Sequence, residues 1–172
     1  PRSFWLRLAR KQRFIHPKGF EMIHAQNVKY ISVTPPAAIV DNASYTTGEI
    51  DTLGFDYATI VCYLGASDIA MTALAVTESD SAGSGHGNVT GLVYGTSSNI
   101  AGSTSSLPSA TDDGKFFVFQ VDLKARKRYL DVTATAGDGS AGTFATIFAI
   151  LSRGEATPDT ASEAGAADVL RV

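Results

Sequence analysis

Short runs of β-branched, aromatic and other apolar residues alternate with polar turns along most of the chain. The strongest run, "FDYATIVCYL" at 55–64, becomes apolar on both faces toward its end, which is typical of a well-packed strand. Because turn signals separate such runs about every 8–12 residues, the pattern predicts about eight or nine antiparallel strands and almost no helix. We therefore expect an all-β fold, a single antiparallel β-sandwich of jelly-roll type. The other runs lie at 28–33, 37–40, 45–52, 69–79, 89–96, 115–123, 128–136 and 143–152.

The bulky apolar residues of these runs are expected to form the core of the sandwich. The single cysteine, Cys62, lies within "TIVCYL", so we expect a small buried side chain rather than a reactive thiol. The predicted core residues are Ile60, Val61, Leu64, Leu74, Val76, Leu92, Phe117, Phe119, Val121, Leu130, Val132, Phe144, Ile147 and Ile150.

The same pattern divides the chain into three parts. Residues 28–152 are predicted to form the sandwich domain, preceded by an N-terminal arm at 1–27 and followed by a low-complexity C-terminal tail at 153–172. The arm fits an amphipathic helix only imperfectly, and Pro17 would end any helix there. We therefore expect an extended or partly helical arm that orders on its partner.

The net charge of −3 conceals a marked asymmetry. Residues 1–29 hold seven basic residues and one acidic residue, a net charge of +6, while the remainder holds seven basic and 16 acidic residues, a net charge of −9. A basic arm that also carries aromatic side chains indicates a binding partner, with a charged extension of no specific role as the alternative. The candidate partner-binding residues of the arm are Phe4, Trp5, Arg7, Arg10, Lys11, Arg13, Phe14 and Phe20.

Two turns near the C-terminal half carry distinctive sequences. The stretch "KARKR" is the only basic cluster outside the arm, and it suits either a solvated hairpin turn or a second contact patch. The stretch "GDGSAG" at 137–142 is predicted to close the last hairpin, because it has too few acidic positions for a calcium loop. The candidate partner-binding residues of the first turn are Lys124, Arg126, Lys127 and Arg128.

Patterns that indicate catalysis or metal binding are sparse. The histidines His16, His24 and His86 do not occur at metal-ligand spacing. The Gly-rich stretch at 83–87 lacks the Lys-Ser/Thr pair of a phosphate-binding loop. Most aspartates lie beside Gly or Ser, where a carboxylate accepts hydrogen bonds from the backbone of a turn. The sequence therefore predicts no enzyme activity, no bound metal and no cofactor.

Membrane and nucleic-acid partners are not expected. No run approaches the about 18 apolar residues of a membrane span, and Arg7 and Arg10 interrupt the apolar N-terminus before it reaches the length of a secretory signal. This pattern predicts a soluble chain made in the cytoplasm. The acidic body would repel phosphate groups near the arm, which disfavours nucleic acid.

Three stretches resemble a family of small structural proteins of tailed phages and prophages, the capsid decoration (cement) or auxiliary head proteins. They begin "VTPPAAIVDNASY", "VTGLVYGTSSN" and "RKRYLDVTATA", and the likeness covers about residues 30–155. The resemblance implies a virion structural protein on the capsid surface, bound to the lattice of the major capsid protein. It also implies a homo-oligomer, with a trimer favoured by analogy with cement proteins at threefold positions. Members of the family begin close to the position of Lys29, so the arm is an addition in this chain.

Two other classes of function remain open beside this one, and one of them is a protein that binds nucleic acid or a membrane through the arm as a basic amphipathic segment. A head-fibre or tail-associated module that binds a surface or a carbohydrate would also be a β-sandwich with polar loops. Such a module is expected to show an exposed aromatic platform, for which Tyr45 and Tyr94 are poor candidates.

Overall fold

The structure is a computed structural model that describes residues 24–170. The partner contacts predicted at 4–20 lie outside these residues, and of the predicted arm at 1–27 only residues 24–27 lie within them. Short 3₁₀ helices occupy His24–Asn27 and Leu123–Ala125. The strands are β1 (Val28–Thr34), β2 (Ile50–Asp51), β3 (Phe55–Ser67), β4 (Ala73–Ser79), β5 (Gly87–Val93), β6 (Phe116–Asp122), β7 (Tyr129–Thr135) and β8 (Thr143–Gly154).

The eight strands form two antiparallel sheets that pack face to face. The first sheet has the order β1-β8-β3-β6, and the second has the order β2-β7-β4-β5. This arrangement of two interleaved four-stranded sheets is that of a jelly roll. The predicted β-sandwich is therefore confirmed, with 46% strand and 3% helix.

The order of the strands corrects the prediction for two turns. Strands β6 and β7 lie in different sheets, and so do β7 and β8. The stretches at 124–128 and 137–142 are therefore crossings between the sheets and not hairpin turns. Among the described strands, only β4 and β5 are consecutive in the sequence and also adjacent in a sheet. The Gly-rich stretch at 83–87 connects them.

Nine of the predicted core residues lie in the buried cluster between the sheets, and Cys62 lies there too, fully buried. Burial raises the pKa of the Cys62 thiol to about 12, so the expectation of an inert side chain is supported. Leu92 and Phe117 are half-buried and pack against the cluster. The nine are Ile60, Leu64, Leu74, Val76, Phe119, Val121, Leu130, Val132 and Ile147.

Two of the predicted core residues, Phe144 and Ile150, were assigned to the wrong face of β8. The buried residues of this strand alternate as Ala145, Ile147, Ala149 and Leu151, so Phe144 and Ile150 point away from the second sheet. Nearly every residue of β8 is apolar or small, so the sequence shows no alternation that would reveal the inner face. The inner face of β8 thus combines two alanines with Ile147 and Leu151, and the rings of Phe144 and Phe148 lie on the outer face.

The carboxylate of Asp68 ties the crossing from β3 to β4 to the crossing from β7 to β8. Its Oδ2 accepts hydrogen bonds from the backbone N–H of Ser140 and of Ala141, both at 2.6 Å. Its Oδ1 accepts one from the backbone N–H of Gly142 at 3.1 Å. These bonds, that of Ala141 foremost, hold the pKa of Asp68 below its usual value.

We expect acid to weaken the fold partly through Asp68. A carboxylate whose pKa is lowered by folding contributes its stabilisation fully above the usual Asp pKa of about 4, and loses it as the pH falls through the lower pKa of the folded state. Asp68→Asn should therefore lower the melting temperature at neutral pH and make it fall less steeply below pH 4. The control is Asp138→Asn, because that side chain bonds to no described residue. Equal pH profiles for wild type and Asp68→Asn would contradict the prediction.

Candidate interaction surface

The first sheet presents an outer face that is almost free of charge. Strand register and burial place 16 side chains on it, and Asp122, at one corner, is the single charged one. We call this set the outer face of the first sheet. It consists of Val28, Tyr30 and Ser32 in β1, Phe144, Thr146, Phe148, Ile150 and Ser152 in β8, Tyr57, Thr59, Val61 and Tyr63 in β3, and Phe116, Val118, Gln120 and Asp122 in β6.

Large apolar side chains on this face remain open to solvent. The rings of Tyr63 and Phe116 stack with their centroids 4.7 Å apart, and Phe116 is 63% exposed. Val61, which was predicted to lie in the core, is only 9% exposed, yet it sits on this face between Phe148 and Val118. The five most exposed large side chains are Tyr30, Tyr63, Phe116, Val118 and Phe144.

Phe144 extends this exposed surface to the end of the sheet. A Cβ added to Gly65 on the neighbouring strand would lie only 3.0 Å from the Cβ of Phe144. The absence of a side chain at Gly65 therefore leaves room for the Phe144 ring, which is 39% exposed.

The outer face of the second sheet is different in character. Its central strands present small or polar residues outward, among them Ala75, Thr77 and Ser79 in β4 and Asp131 and Thr133 in β7. The three residues of β4 are buried, and neither central strand exposes a large hydrophobic side chain. The apolar exposed surface is thus a property of one sheet and not of the whole sandwich.

A groove of about 470 Å³ adjoins the outer face along the edge formed by β6. One wall is formed by Phe116, Val118 and Gln120, and the other by the segment 91–105, from which Ile100 projects fully into solvent. The groove therefore combines apolar walls with serine, asparagine and glutamine side chains.

Tyr94 lines this groove and blocks the edge of β6 at Val118. Its hydroxyl donates to the backbone oxygen of Val118 and accepts from the N–H of the same residue, both at 3.0 Å. Its ring packs edge-on against Phe117 and Phe119, with centroids 5.5 and 5.0 Å away. Tyr45 is buried and donates to the Thr143 backbone oxygen. As expected, neither tyrosine forms an exposed platform, whereas Tyr63 and Phe116 do.

The opposite edge of the first sheet is also covered. The backbone N–H of Tyr30 in β1 donates to the oxygen of Ala164 at 2.8 Å, and Ala164 is buried. Part of the predicted tail thus packs along the β1 edge. Both edges of the sheet are blocked at these points, which protects them from pairing with another strand.

The basic cluster at 124–128 is largely paired with acidic residues of the same body. Arg128 contacts both oxygens of Asp51, at 2.8 and 2.7 Å, and this contact holds the pKa of Asp51 below its usual value. Arg126 lies 3.5 Å from Glu78, and Lys127 lies 3.7 Å from Asp80. Lys124 forms no ion pair with a described residue. The structure does not bring this cluster onto the outer face of the first sheet.

The sequence contained a signal for this face that our interpretation missed. The run of β3 becomes apolar on both faces toward its end, which the sequence analysis relates to close packing alone, and the run of β8 is apolar or small on both faces as well. In a two-layered sandwich each sheet has one inner face, so a strand that is apolar on both faces also has an apolar outer face.

Neither a metal site nor a membrane-spanning helix is found among residues 24–170. Within that range no three His, Cys, Asp or Glu side chains are grouped so that they could hold a metal ion. His86 instead lies 3.1 Å from the carboxylate of Glu49. No described helix is long and apolar enough to cross a membrane.

Fold and surface together define a jelly-roll domain with one apolar, solvent-exposed sheet face. No protein-family model, curated protein or solved structure matches the chain.

Proposed function

We propose that this chain is a virion structural protein that decorates and stabilises a tailed-phage capsid by binding the lattice of the major capsid protein. It acts by binding and not by catalysis. Support comes from the resemblance over residues 30–155 and from the jelly-roll fold, which recurs in viral capsid and lectin domains. The resemblance also favours a trimer on the capsid surface.

The observation that carries the proposal is that the residues joining the N-terminal arm to β1 are held against the sandwich domain. Residues 24–27 lead directly into β1, and the Asn27 side chain donates to the backbone oxygen of Gly154 at 2.6 Å. A segment of 23 residues beyond that point reaches about 75 Å if fully extended, enough to contact a neighbouring subunit of a shell.

The composition of the arm suits such a contact. Its cations are suited to an acidic shell surface, and its aromatic side chains are suited to act as buried anchors. Many copies on a repetitive shell would bind with a combined strength well above that of one copy.

The test is to mix the purified full chain with shells of its source phage that lack it. We expect the chain to sediment with the shells and to appear in a cryo-EM difference map as density outside the lattice. Shells that remain undecorated at saturating protein would overturn the proposal.

A second candidate function, a head-fibre or tail-associated module that binds carbohydrate, is favoured by one observation. The exposed stack of Tyr63 on Phe116 lies beside the groove, whose walls include the amides of Asn99 and Gln120. Aromatic rings next to hydrogen-bonding groups suit the binding of sugars. Glycan-array binding that disappears in Phe116→Ala would support this function, and no binding to any glycan would remove it.

A further inference from the structure

We propose that the outer face of the first sheet packs against a second copy of this chain. This goes beyond the proposed function, because it names the surface of self-association and holds whether or not the chain binds a shell. It is tested on the purified protein alone, so its failure would leave the capsid proposal standing.

The first argument is the character of the face. Fifteen of its 16 side chains carry no charge, and five large apolar ones are exposed. A contiguous patch of this kind is unusual on a monomer and typical of a protein interaction site. A second copy offers the same uncharged surface, so neither partner has to bury an unpaired charge.

The near absence of charge on the face also favours a second copy, rather than the chain's own basic N-terminal residues, as the surface that covers it. Residues 1–23 carry six cations and one carboxylate. Asp122 is the one charged residue of the face, and beside the face the guanidinium of Arg153 lies 5.2 Å from the centre of the Tyr57 ring. One carboxylate at a corner does not compensate six cations, and burying unpaired charge is costly.

The area of the face is sufficient for a specific interface. Strands lie about 4.8 Å apart and successive outward residues about 6.7 Å apart, so each position covers about 32 Å² of sheet. Sixteen positions cover about 500 Å² on each copy and about 1,000 Å² on two, which reaches the lower limit for a specific interface. Phe116, at the rim, continues this surface into the groove beside Ile100.

The edges of the sheet favour packing through its face. At β1 the N–H of Tyr30 is bonded to Ala164, and at β6 both backbone groups of Val118 are bonded to the Tyr94 hydroxyl. Strand addition at either edge would have to break these bonds. Packing of one face on another leaves them intact.

The experiment measures the molar mass of the full chain by light scattering during gel filtration, across the micromolar range. We expect a dimer for the wild type, because the packing of this face on the same face of another copy joins two chains; this differs from the trimer that the resemblance favours. Phe116→Glu and Phe144→Glu should each raise the dissociation constant at least about tenfold, because the interface would have to bury a carboxylate. The matched control is Thr133→Glu, at an exposed strand position on the outer face of the second sheet, and its mass should equal that of the wild type.

A second measurement does not depend on how the charged variants fold. In Val118→Cys the new thiol should react with a maleimide slowly at high protein concentration and faster on dilution, while Thr133→Cys should react fast throughout. The buried Cys62 stays silent in both. A monomeric wild type would overturn the proposal. The face would then be a binding surface for residues 1–23, for a shell or for a glycan. A multimer that resists both charged variants, or that exposes residue 118 at every concentration, would overturn it as well.

Discussion

Truncating Ile147 to Ala is expected to lower the free energy of unfolding by about 2–5 kcal/mol. Ile147 is fully buried in β8, the strand that lies between β1 and β3 in the first sheet. The substitution removes three carbons from a closely packed interior, so the remaining side chains lose contacts that they regain only in part. Denaturant unfolding followed by far-UV circular dichroism measures the loss.

The matched control is Ile150→Ala, the same substitution on the opposite face of the same strand. Ile150 is half-buried on the outer face of the first sheet, so we expect a loss less than half as large. Both variants must be compared at one protein concentration, because association through that face would add to the apparent stability. Equal losses would show that the faces of β8 are assigned wrongly.

Removing residues 1–23 is expected to abolish most binding to capsid shells while leaving the melting temperature nearly unchanged. The cut falls before residue 24 so that the Asn27 bond to Gly154 and the pairing of Val28 with Ser152 are kept. A few aromatic and arginine residues usually carry most of the binding energy of an interface, and the sequence of residues 1–23 contains several of both kinds. Co-sedimentation with shells measures binding, and calorimetry measures the melting temperature.

Two sets of substitutions in the full chain separate the contributions of the arm. Reversing Arg7, Arg10 and Arg13 to Glu should weaken binding and reduce its dependence on salt, since screening acts on charge pairs. Trp5→Ala should weaken binding at every salt concentration, because a buried ring is held by contacts that salt screens little. If the shortened chain decorates shells as well as the full chain, the arm is not the anchor. The turn at 124–128, with Lys124 free of ion pairs to described residues, then becomes the next candidate.

The fold class could be predicted from the sequence because it depends on local pattern. The run at 115–123 and the alternation around Leu130 and Val132 each mark a strand without reference to the rest of the chain. Which strands pair is decided by contacts distant in sequence, such as that of β1 with β8. For this reason the inter-sheet crossings at 124–128 and 137–142 were predicted as hairpins.

The candidate surface could be predicted only in part, for a related reason. The exposed ring of Phe116 and the half-buried ring of Phe117 are adjacent in sequence and chemically identical, and only the packing of the second sheet decides which one faces inward. The hydroxyl of Tyr94 bonds to Val118, 24 residues further along the chain, so the role of Tyr94 at the edge of β6 could not be predicted from the sequence either. Charge pairing of Arg128 with Asp51 likewise joins residues far apart in the sequence.

The position of β8 between β1 and β3 determines when the first sheet can fold during synthesis. Because β8 follows the other seven described strands in the chain, the middle of the first sheet stays empty until β8 has left the ribosome. Until then the inward side chains of β3, such as Ile60 and Leu64, have no complete layer to pack in. Nascent chains that stall before residue 143 should therefore aggregate or bind chaperones, and folding should be slow because the closing contacts span most of the sequence.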